Sequence, residues 1–152
     1  MKLAEALQKR ADLNNKISQL REQIDDNAIV QEGEAPALDP QKLMAELDST
    51  ISEYGKLIAK INLTNVSTRT EDGETLTELM AKRDILRMSI SAYQRIMQTA
   101  GGITRRATRS EIKILATVNV KEIQEKTDRL QKEFRLTDNK IQQLNWLVDL
   151  QE

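Results

Sequence analysis

Between residues 62 and 72 the chain gathers Asn62, Asn65, Thr68, Arg69 and Asp72, which bring amide, hydroxyl, guanidinium and carboxylate groups into one short stretch. Converging groups of these kinds can orient a small polar ligand. The same residue types at helix ends also satisfy free backbone groups, which is their commoner use. A second polar set, Arg10 and Arg83, falls at positions where a helical repeat calls for apolar residues. A cation there must be paired, must reach out to water, or must set the register between helices. The third set is the run TRRATRSEIK, with Arg105, Arg106, Arg109 and Lys113. Its counterpart is an acidic stretch containing Glu32 and Glu34. Charge pairing within the protein or between subunits is the expectation for these two. The run lacks interleaved aromatics, so nucleic acid is disfavoured as a partner.

The chemistry open to these groups is limited by what the chain lacks. It contains no Cys and no His. Thiol catalysis, disulfides, zinc-finger ligation and imidazole bases are therefore excluded, and carboxylates, Lys, Tyr, Ser and Thr remain. The Glu-x-x-His pattern of di-iron bundles is likewise impossible. Asp25, Asp26 and Glu32 lack the spacing of a calcium-binding loop. No cofactor and no metal are expected, and the balance lies against an enzyme. With 23 basic and 24 acidic residues the net charge is −1, so no global field draws the chain to nucleic acid or an anionic membrane. The N-terminal residues contain no apolar signal region and no run approaches membrane length, which makes a cytoplasmic location the expectation and a membrane partner a disfavoured one.

These residues must be positioned by helices. Five Gly, two Pro and 31% charged residues in 152 describe a helix-rich domain of one core. Leu3, Ala6, Arg10, Leu13, Ile17, Leu20, Ile24 and Asn27 alternate steps of three and four, which predicts a helix over 2–27. Asp39-Pro40 reads as an N-cap with proline at the first helical position, opening a second helix over 40–65. Its seam is Met44, Leu47, Ile51, Tyr54, Ile58, Ile61 and Asn65, widened by Leu43 and Leu57. Asp72-Gly73 predicts a turn, and Thr75 with Glu78 a capping box. A third helix over 75–99 has the seam Leu76, Leu79, Arg83, Leu86, Ile90, Tyr93 and Met97. Asn119 caps a fourth, over 120–150, with a seam from Val120 through Thr127, Phe134 and Thr137 to Val148.

The expected fold is all-α, with four long antiparallel helices forming a single bundle domain over 1–152, or helical hairpins that complete their core in an oligomer. The pair Ile29-Val30 and the alternating stretch 112–118 could add a short two-stranded cap.

The segments Asn27–Pro36, Ile61–Asn65, Thr68–Gly73, Leu76–Leu79, Arg109–Lys113 and Thr117-Val118 resemble those of the small bacterial proteins known as septicolysin. The resemblance covers nearly the whole chain in one order. It implies a small α-helical protein, and the family's name implies lysis. The residues themselves offer neither an export signal nor a strongly cationic amphipathic helix. Read from the residues, the leading expectation is a non-catalytic interaction protein that self-associates or binds a protein partner. The alternatives are a small-ligand protein or metal-assisted enzyme at 62–72, and a cytolysin.

Overall fold

The computed structural model describes residues 1–102 and 112–151. The fold is all-α, with helices α1 (Leu3–Asn27), α2 (Pro40–Ser67), α3 (Leu76–Gly101) and α4 (Val120–Leu147). The chain forms two compact units, Met1–Arg69 with Leu144–Glu152, and Thr70–Gln143.

In the first unit α1 and α2 pack as an antiparallel hairpin. Lys9 reaches Glu53 at 2.6 Å and Lys16 reaches Glu46 at 2.7 Å, so residues advance along one helix as they retreat along the other. Glu53 is held below its ordinary value first by its hydrogen bond from Lys9 and then by that lysine's charge. Leu3, Ala6, Leu13 and Leu20 are buried on α1, in agreement with the expected seam. Arg10, although placed on that seam by spacing, is exposed.

The seam of α2 differs from expectation by a rotation of the helix. Thr50, Leu57, Ile61 and Thr64 are buried, whereas Met44 and Ile51 are exposed. The inner row is therefore Leu43, Leu47, Thr50, Tyr54, Leu57, Ile61 and Thr64, still in steps of four and three. Two threonines can sit inside because each hydroxyl donates to the carbonyl four residues back. Thr50 bonds to Glu46 and Thr64 to Lys60, both at 2.8 Å, so neither hydroxyl is stranded.

The ends of this unit are fastened by the chain termini. Leu3 N–H donates to Val148 O at 2.9 Å and Leu150 N–H to Met1 O at 2.8 Å, making an antiparallel bridge between Lys2 and Asp149. Lys2 also pairs with Asp149 at 3.0 Å. These bonds explain why α4 stops at Leu147 rather than near Leu150: the tail exchanges helical partners for the N-terminal strand of backbone. The Thr64 hydroxyl accepts from Gln151 N–H at 2.9 Å, which adds a fastening from α2.

The second unit pairs α3 with α4, again antiparallel. Lys82 meets Glu133 at 3.2 Å, and further along α3 the Tyr93 hydroxyl accepts from Lys126 at 2.6 Å. Leu76, Leu79, Leu86, Thr127, Thr137 and Ile141 form its buried core, on the expected seams. Thr127 back-bonds to Ile123 O at 2.8 Å, repeating the device used in α2.

Helix starts follow the sequence signals. Asp39 accepts from Gln41 N–H at 3.0 Å ahead of Pro40, and Asn119 accepts from Glu122 N–H at 3.2 Å. Thr75 and Glu78 exchange bonds of 2.6 and 3.1 Å as a complete capping box.

No strand forms among the described residues, which carry only isolated bridge positions, at Lys2 and Asp149 and at Arg69 and Thr75, so the two-stranded cap is absent from them. Ile29-Val30 lies in an irregular connection between α1 and α2. There Asn27 donates to Gln23 O at 2.8 Å and accepts from Leu38 N–H at 2.9 Å, closing the loop without a ladder. Residues 112–118 are irregular as well.

Gly55 lies mid-helix and exposed in α2, and a Cβ there meets nothing within 4 Å. Gly55→Ala is expected to raise unfolding stability by about 1 kcal/mol or slightly less, measured by urea denaturation at unchanged slope.

Candidate functional site

The polar set at 62–72 is shared between the end of α2 and a tight turn. Asn62 and Arg69 are exposed, while Asn65 and Thr68 are half-buried. Thr68 N–H donates to Thr64 O at 2.9 Å as the helix ends, a capping role. Asp72 lies in the second unit, in a three-residue turn formed by Glu71, Asp72 and Gly73. Thr70 N–H donates to Glu74 O at 2.8 Å, and Gly73 N–H donates to Thr70 O at 3.0 Å. Gly73 takes φ +86°, the left-handed conformation that closes such a loop and that a side chain would strain.

Asp72 is engaged within its own unit. It accepts from Lys140 of α4 at 2.8 Å, and Lys140 lies 4.0 Å from Glu74. The hydrogen bond from Lys140, then its charge, lowers the Asp72 pKa. The same hydrogen bond raises that of Lys140. The pair pins the turn to α4.

Arg83 is the seam cation that the structure draws inward. Its side chain is 19% exposed, and its Nη1 donates to Asp138 on α4 at 3.3 Å. Asp84, the next residue along α3, lies 3.5 Å from the Arg83 guanidinium. Arg83 Nε is buried without a hydrogen bond, because its approach to Asp84 lacks hydrogen-bonding geometry. One turn on, Arg87 sits over the Phe134 ring at 5.6 Å. The Arg83–Asp138 pair links α3 to α4 across their seam.

Glu32 and Glu34 are exposed on the α1–α2 connection, and Lys113 is exposed beyond α3. Arg105, Arg106 and Arg109 lie outside the described residues. Among the described residues no group of three or more acidic side chains has the closeness that would hold a metal ion.

A different site emerges that the seams did not reveal. Beside the C-terminal half of α3 and residues 114–118 lies an apolar groove of about 810 Å³. Met88, Ala92, Ile96, Ile114, Leu115 and Val118 supply its apolar walls, and Arg95 stands at its margin. The signal was present in the sequence: Ile85, Met88, Ala92 and Ile96 form a second row at helical spacing, apart from the inner seam. Among the described residues no helix is long and apolar enough to cross a membrane.

A family model described as a family of unknown function, DUF6847, matches residues 10–150. The chain belongs to that family. Among solved structures, the chain is similar to a functionally unknown conserved protein from Corynebacterium diphtheriae, at 37% identity and a TM-score of 0.92. The match covers 99% of each chain. No curated protein matches this member of DUF6847.

The Arg83–Asp138 pair yields a test of its structural role. Arg83→Met alone is expected to lower stability by about 1 kcal/mol, because Asp138 is left half-buried without its partner. Adding Asp138→Leu is expected to recover most of that loss in the same denaturant titration. A binding role would predict no such recovery.

Proposed function

We propose that this DUF6847 protein is a non-catalytic helical interaction protein, acting by self-association or by binding a protein partner. The observation that carries this reading is the apolar surface left on the paired helices. Ile85 is 64% exposed and Met88 73%, on a helix whose opposite seam is already packed. In the first unit Ile51, Leu63 and Val66 of α2 are also exposed. Single exposed apolar residues are ordinary, but a row at helical spacing joined to an apolar groove is the surface expected of an association site. Each such side chain, once covered, contributes about 1.5–3 kcal/mol.

The site residues favour the same reading. Asp72 is engaged by Lys140 and Arg83 by Asp138, which supports a structural use of these two groups. The resemblance to septicolysin adds lysis as an alternative.

Light scattering after size exclusion tests the proposal. The expected result is an assembly of two or more chains at micromolar concentration, or a stable complex with a protein recovered from lysate and reconstituted from purified components. A strictly monomeric chain with no reconstituted complex would remove the proposal.

A further inference from the structure

The second apolar row of α3 changes character along its length. At its N-terminal half Ile85 and Met88 are largely exposed, and Met88 also borders the groove. At its C-terminal half the small residue Ala92 and the partly exposed Ile96 floor the groove, with Ile114, Leu115 and Val118 as the facing wall. One half of the row is therefore made of projections and the other of a recess. A surface carrying both can be complementary to itself when a two-fold axis exchanges the halves.

We infer that a second copy of this chain docks here, its α3 antiparallel to the first, with the Ile85 and Met88 side chains of each copy seated in the groove of the other. An axis crossing α3 at the level of Ile90 places Met88 opposite Ala92 and Ile85 close to Ile96, large against small in the first pair. This deepens the self-association reading and rests on it.

Charge supplies an independent reason for that orientation. Asp84 and Arg95 are eleven residues, about three turns, apart, and so stand on one flank of the row. Antiparallel helices bring the same flanks together. Asp84 of one copy then faces Arg95 of the other, and symmetry repeats the pair. Asp84 has 62% of its side chain exposed although it also lies 3.5 Å from Arg83 of its own helix, and Arg95 lines the groove. A parallel pairing would bring opposite flanks together and leave Asp84 and Arg95 without each other. An acyl chain or other small apolar ligand in the recess would reach Met88 but leave Ile85 in water, whereas a second copy covers the whole row.

Charge reversal in the full-length chain distinguishes these cases. The wild type is expected to be a dimer by light scattering and sedimentation. Asp84→Arg or Arg95→Asp alone should weaken it about tenfold, since two attractive pairs become repulsive. The double variant D84R/R95D, and an equimolar mixture of the two single variants, should restore the dimer. Met88→Glu should weaken it at least about a hundredfold while circular dichroism melting still shows a helical fold. A dimer that these reversals leave unchanged, or a double variant as weak as the singles, would overturn this interface while leaving self-association standing. Uptake of a fluorescent fatty acid that Met88→Glu abolishes, with the dimer intact, would assign the recess to an acyl chain and overturn it equally. A wild type monomeric at all concentrations would overturn both this interface and self-association.

Discussion

A long amphipathic helix packed against one partner hides one seam and leaves its other apolar residues in water. That constraint governs this molecule. Within each unit the helices meet as an antiparallel pair, and the fully buried residues are confined to narrow rows such as Leu13, Leu20, Leu57 and Ile61, or Leu79, Leu86 and Ile141. Ridges on two helices interdigitate along a line, so a residue a third of a turn from that line cannot be covered by the same partner. Ile85 and Met88 are such residues on α3, as Ile51 is on α2.

The rest of the structure holds those seams in register. Threonines at inner positions satisfy their hydroxyls on their own helices, which lets Thr50, Thr64 and Thr127 stand in rows otherwise filled by Leu and Ile. Arg83 and Asp138 meet across the α3–α4 seam, and Lys140 holds the turn at Asp72. The termini close the first unit through the Lys2–Asp149 bridge and the Thr64–Gln151 bond. Two of the polar residues that look most like chemistry in the sequence, Asp72 and Arg83, contact α4 in this way.

Much of this was legible in the sequence, for identifiable reasons. Helix number, the Asp39, Thr75 and Asn119 caps and the turn at Asp72-Gly73 all rest on local backbone chemistry, which needs no knowledge of partners. The seams of α3 and α4 were legible because leucine and isoleucine recur along the inner row of each, as at Leu76, Leu79 and Leu86 and at Ile123, Leu130 and Ile141. On α2 two rows competed, and Ile51 and Ile58 are more apolar than Thr50 and Thr64. The threonines prevailed because packing against α1 depends on shape and back-bonded hydroxyls as well as on hydropathy. Alternation at 112–118 would suit a short strand, but a strand needs an edge to pair with, and these residues are irregular. The groove escaped sequence reading for a related reason: the contribution of 114–118 to it depends on where the chain goes after α3, which periodicity does not encode.

The reading that unites these features is a helical protein whose hairpins are stabilised further when their outer apolar faces are covered. Membership of DUF6847 and the likeness to the Corynebacterium diphtheriae protein extend the fold to relatives whose function is equally open. If association supplies part of the folding free energy, stability must depend on protein concentration. Thermal unfolding followed across about a hundredfold range of concentration tests this directly. The midpoint is expected to rise steadily with concentration; a midpoint that stays constant across that range would contradict the proposed self-association.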